Sequence, residues 1–191
     1  MNMKFELNLA DLIRYAAVWY DVEEPLLTSI QLGDHDRVAS LQRYLIYMRV
    51  RRDFQTGKEE RILDLSLPFA RREDDQAVLD LSSRFAEENI LSGRKTRAIV
   101  AASKILWIMN RRHIIMDSLS QRALETILGV KISDYLSYCR LWRDCFQLFK
   151  EYLAKSESYE ALTKLDTIFS AEWFMARTCD LYLWRIGGES E

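Results

Sequence analysis

Apolar residues recur at intervals of three and four along most of the chain, the spacing that lines up one face of a helix. Leu12, Ala16 and Trp19, with Ile13 and Ala17 beside them, predict a first helix over Asn8 to Tyr20, with Asn8 as cap and Asp11 at the third position. Pro25 opens a short helix closed by Gly33. Asp34 or Asp36 caps a longer one, with Val38, Leu41, Leu45 and Met48 inward and Gln55-Thr56-Gly57 at its end. Ile62 to Leu67 is a short apolar piece stopped by Pro68, either a turn of helix or the one plausible strand. Asp74 or Asp75 caps a helix through about Glu88, whose core face is Val78, Leu81 and Phe85.

The stretch from Gly93 to Gly129 continues the pattern. Ala98, Ile99, Ala102, Ile105, Leu106 and Met109 form one face of a helix that Gly93 can open. Asn110 to His113 read as a turn. Ser118 and Gln121 fit a capping box for a helix that runs to about Leu128 and stops at Gly129. On that reading Asp117 stands one residue outside the cap, free to face a cleft; the other reading is that Asp117 itself caps. Further on, Ser133 or Asp134 caps a long helix to about Lys155, striped by Tyr135, Tyr138, Trp142, Phe146 and Phe149. Such a stripe suits a core first and base stacking second. Ser158 to Asp166 and Ser170 to Ile186 predict two more helices, the last ended by Gly187-Gly188.

With only two prolines and six glycines, the chain favours helices over a turn-rich β fold. The fold expected is all-α: a compact bundle of about eight helices, a single domain or two lobes near residues 1–90 and 91–191 with a cleft between them. Hydrophobic residues at 49% supply a sizeable core. No apolar run has membrane-spanning length and no signal peptide shows, so a cytoplasmic protein without a membrane partner is expected. Cys139, Cys145 and Cys179 form no CxxC pair and read as reduced, buried thiols. The two histidines, His35 and His113, lack companions for a zinc site, and no Walker or dinucleotide loop occurs, so neither metal nor cofactor is expected.

Charge changes the picture in one place. Between Glu88 and Asp117 there is no acid, but there are Arg94, Lys95, Arg97, Lys104, Arg111 and Arg112, in a chain whose formal net charge is −2. An acid-free basic window in an acidic protein points to a local anion site. Arg97, Lys104 and Arg111 recur every seven residues as a stripe, either solvated or contacting phosphate. Lys95 points toward the apolar face at the helix start. There, desolvation and the helix dipole both favour the neutral, nucleophilic amine. A snorkelling lysine fits the same position. His113 reads as a surface or phosphate-contacting histidine.

Gly93, Lys95 and Thr96 in SGRKT, then Asp117 in MDS, resemble the core of the helix-hairpin-helix DNA glycosylases. So does the string Ala102-Ser103-Lys104, Leu106-Trp107, Asp117-Ser118, which is similar to bacterial proteins of the oxoguanine glycosylase fold. The resemblance covers about a fifth of the chain. It departs from the family hairpin, which carries two glycines: Leu91 stands in place of the first. The resemblance implies DNA as partner, a nucleotide flipped into a cleft, and Lys95 or Lys104 attacking the sugar carbon. Asp117 would stabilise the cationic sugar or move a proton. Arg94, Arg97, Lys104, Arg111, Arg112 and His113 would hold the backbone. The alternatives from the same sequence are a non-enzymatic α-helical interaction module meeting a protein partner, or an accessory protein of a bacterial defence system with no turnover.

Overall fold

A computed structural model describes residues 5–32, 36–92 and 98–189. It is all-α, with no strand among the described residues. The described residues form ten α-helical segments in chain order: α1 Leu9–Val18, α2 Glu24–Leu32, α3 Arg37–Tyr47, α4 Glu59–Ala70, α5 Gln76–Glu87, α6 Ala98–Asn110, α7 Ser118–Leu128, α8 Tyr135–Ala154, α9 Glu157–Leu165 and α10 Glu172–Glu189. The chain forms two compact units, one from Met1–Trp19 with Asp117–Glu191, the other from Tyr20–Met116. Residues 90 and 91, where the sequence reading put a lobe boundary, both fall inside the second unit. The chain passes from the first unit to the second within a π-helical turn, Trp19–Glu23.

The unit of Tyr20–Met116 is built around α6, which packs on α2, α4 and α5. Every residue of α6 from Ala101 to Ile108 is buried, as expected of a helix with apolar residues all round. Ile62, Leu63 and Leu65 of α4 and Val78, Leu81 and Phe85 of α5 supply the facing core. The piece around Ile62 is helix, not strand, and Pro68 lies inside α4 rather than before its end. At that position proline forfeits one hydrogen bond in an exposed last turn, where the loss is least. Between α3 and α4, Phe54 forms an isolated antiparallel bridge with Leu91.

The other unit is closed by its two chain segments. In α1, Asn8 caps as expected, in a reciprocal box with Asp11. The carboxylate of Asp11 also accepts from Arg185 of α10 at 2.9 Å. The aromatic stripe of α8 is core: Tyr135, Tyr138, Trp142, Phe146 and Phe149 are all buried. All three cysteines are buried thiols outside any disulfide; burial pushes the Cys179 thiol well up, as does its hydrogen bond with Cys145 across from α8 to α10.

Gly187 does not end the last helix. It lies within α10, where a Cβ would stand 2.0 Å from the backbone oxygen of Leu119 in α7. Glycine is there for close approach of two helices. Gly187→Ala is expected to lower stability by about 1–3 kcal/mol through overpacking against backbone, read as a lower urea midpoint at unchanged slope. Gly188→Ala is the control: its nearest neighbour is a Leu119 methyl at 3.7 Å, so it should be neutral or slightly stabilising.

Candidate functional site

The basic window falls into three parts. Gly93, Arg94, Lys95, Thr96 and Arg97 lie outside the described residues. Just before them, the chain is tied down: Ser92 donates its backbone N–H to the carbonyl of Asp53 at 3.0 Å, and its hydroxyl donates to the carbonyl of Arg52. Gln55 donates its N–H to the Ile90 carbonyl at 2.9 Å. The Ser92 amide, which a phosphate-binding hairpin would present to its ligand, is therefore spent inside the fold.

The second part is α6. Lys104 was expected on a solvated or phosphate-facing stripe; it is 6% exposed. Its Nζ donates to the carbonyl of Met48 at 3.1 Å, just past the last turn of α3. Tyr44 of α3 returns a bond, its hydroxyl donating to the Lys104 carbonyl at 2.8 Å. A lysine at the end of a helix satisfies an orphan carbonyl and favours the negative end of the dipole. Lys104 thus ties α6 to α3.

The third part, Asn110 to His113, grips the turn between α4 and α5. Asn110 donates from its side-chain amide to the Ala70 carbonyl at 2.6 Å and accepts the Arg112 N–H at 3.0 Å. Arg112 pairs with Glu73. Arg111 takes a left-handed backbone with φ 59, and its N–H closes on the Trp107 carbonyl at 2.7 Å. His113 is buried, not superficial, and is hydrogen-bonded to the Arg72 backbone. Its Nε2 is buried with no hydrogen-bond partner. On the far side of the same turn, Arg72 bonds Asp74 twice, at 2.7 and 2.9 Å, and Asp80 at 2.7 Å. It holds the Asp74 carboxyl below the usual carboxylate range, and Gln76 and Arg72 together do the same for Asp80.

Asp117 belongs to the other unit. It is the N-cap of α7, with Oδ1 accepting from the Leu119 N–H at 3.0 Å. Ser118 is the first helical residue, so the cap expected at Ser118 falls on Asp117, one residue earlier. Gln121 instead bonds Glu125 and the Ile132 carbonyl.

Two buried polar groupings escape sequence reading. In one, Arg177 and Asp180 of α10 form an ion pair at 2.5 Å, both nearly inaccessible, with Ser120 of α7 reaching Asp180 at 3.4 Å. Tyr138 stands near Asp180; burial first, then that charge, push its hydroxyl well up. In the other, Glu23 in the π-helical turn is buried and accepts from the Tyr47 hydroxyl at 2.9 Å. An Arg–Asp pair at i, i+3 and a glutamate before a proline look superficial in sequence, so nothing marked them. The π turn is itself a feature common at functional sites. Among the described residues no group of three or more histidine, cysteine or acidic side chains could hold a metal ion.

Two outcomes are expected. Asp117→Ala should cost about 1 kcal/mol in chemical denaturation, and Asp117→Asn much less, because asparagine caps as well as aspartate. Burial drives the His113 pKa below its ordinary value of 6.5, against Asp75, the Arg72 backbone and Asp74, which raise it. The folded ring therefore binds its proton later than the unfolded one. The stability it lends is present above 6.5 and is lost as pH falls through the lowered folded value. His113→Gln should flatten the fall of the thermal midpoint between about pH 7 and 5. Compared with known protein families, with characterised proteins and with solved structures, the chain matches none.

Proposed function

We propose that this chain is a non-enzymatic α-helical interaction module whose partner is another protein. What supports this reading is the employment of the candidate catalytic and anion-binding groups within the fold. Lys104 bonds a buried carbonyl, Asp117 caps a helix, Arg112 pairs with Glu73, and His113 is buried against Arg72. A nucleophilic amine must meet a sugar carbon, and phosphate-binding cations must meet water. No helix among the described residues is long and apolar enough to cross a membrane, which fits a partner met in water.

A DNA glycosylase-like function is the second reading. It draws on Arg94, Lys95 and Arg97, three cations within four residues and no acid. Borohydride trapping on DNA with an abasic site separates the two. The module reading expects no covalent adduct with wild type, Lys95→Ala, Lys104→Ala or Asp117→Asn, and no DNA binding that weakens steeply with salt. An adduct formed by wild type and lost only in Lys95→Ala would overturn it and identify the amine that forms the Schiff base.

A further inference from the structure

The seam between α8 and α10 brings two thiols together. Cys145 of α8 and Cys179 of α10 are hydrogen-bonded to each other, and both are fully buried. The same two helices meet again one turn further on. Phe149 lies four residues past Cys145 and Tyr182 three past Cys179, and their ring centroids are 6.1 Å apart. The thiol contact is therefore part of a packed helix–helix face. Cys139, six residues before Cys145, points to a different side of α8. Packing alone does not call for sulfur on both sides of a seam. Two sulfurs in contact are what a disulfide needs and what no other small side chain supplies. The pair is neutral as thiols and would be neutral as a disulfide, so joining the sulfurs puts no charge into the core; a thiolate or a sulfinate would, and burial opposes both. The same seal selects the reagent. Glutathione and redox proteins bring bulk and charge, whereas hydrogen peroxide is neutral and close to water in size.

We propose that Cys145 and Cys179 form a modification site, at which a small, neutral hydroperoxide converts the two thiols in place into a disulfide that staples α8 to α10. In the first step one sulfur gives up its proton and attacks a peroxide oxygen. The O–O bond breaks, the leaving hydroxide takes that proton and departs as water, and the sulfur, oxidised by two electrons, becomes a sulfenic acid. In the second step the other sulfur attacks it. The S–S bond forms, the S–O bond breaks, and the hydroxide leaves as water with the second thiol's proton. Two thiols and one hydrogen peroxide thus give one disulfide and two waters. The resolving thiol is already in contact, so the second step needs no rearrangement of the helices. The bond closes a loop that contains α9 and the Thr167–Ser170 turn, and it restricts the unfolded chain accordingly. The site is independent of both functional readings above, since neither uses these thiols.

The test is made on the full chain, below its thermal transition, with hydrogen peroxide. The intact mass of wild type should fall by about 2 Da. Digestion without reductant, after thiol blocking, should yield joined peptides holding Cys145 and Cys179, with Cys139 carrying the blocking group. Dithiothreitol should reverse the link. The oxidised protein should melt about 5 °C or more above the reduced one. Cys139→Ala should link as wild type does; Cys145→Ala and Cys179→Ala should not. Should a variant not fold, wild type decides alone, because the joined peptides identify the sulfurs. The bulky, charged reagent dithiobis-nitrobenzoate should leave the thiols of the native protein unlabelled over the time in which peroxide closes the bond. Five results would each overturn the proposal: thiols that all remain blockable after peroxide, added oxygen without joined peptides, a link through Cys139, a linked protein that melts no higher than the reduced one, or labelling by the nitrobenzoate reagent as fast as the peroxide reaction. The last would place the chemistry in an opened chain rather than in the seam.

Discussion

The guanidinium of Arg185 holds one unit of this protein together. That unit is assembled from residues 1–19 and 117–191, and its first helix has no covalent reason to stay. Arg185 reaches from α10 to the Asp11 carboxylate and to the Glu6 carbonyl. Asp11 is mostly buried and accepts also from Arg14 and from the Asn8 N–H. Without Arg185, Asp11 would keep Arg14 and the Asn8 N–H as partners, so what is lost is the tie between α1 and α10 rather than the only counterion of the carboxylate. Trp19 against Trp173, with ring centroids 4.3 Å apart, fixes the other end of the same helix. The crossing of α10 with α7 at Gly187 then positions the helix that carries Arg185.

Helix periodicity was legible almost everywhere, because the cores of both units are apolar faces at three-four spacing and caps such as Asn8, Asp134 and Gly129 follow local rules. What escaped is non-local. Nothing near Lys104 in sequence reveals that Met48 offers a carbonyl; the two meet only because α3 packs so that Tyr44 and Lys104 exchange bonds. Gly187 followed by Gly188 reads as a helix stop until α7 is seen to need the space. Pro68 reads as a stop because the rule for proline concerns helix interiors, and an exposed last turn tolerates it. Asp117 was ambiguous by one residue, and cap positions shift that far easily.

The basic window shows how a linear charge pattern can mislead. Its acid-free character is a property of sequence neighbours, and electrostatics acts between spatial ones. The turn after α4 carries Glu73, Asp74 and Asp75 beneath Asn110 to His113. Each exposed pair there contributes little by itself, and together they leave less uncompensated positive potential than the sequence count implies. The buried Nε2 of His113, by contrast, costs stability that its packing must offset.

The discontinuity of the first unit has a consequence for synthesis. Asp11 leaves the ribosome long before Arg185, which follows 174 residues later. At about 5–20 residues per second, α1 waits on the order of ten seconds or more with its apolar face uncovered and its bond to Arg185 unmade, while residues 20–116 can already collapse on themselves. The nascent chain therefore carries an incomplete half beside a finished one, and it is in that interval, rather than in the completed protein, that α1 is most open to capture by a chaperone or a neighbouring chain.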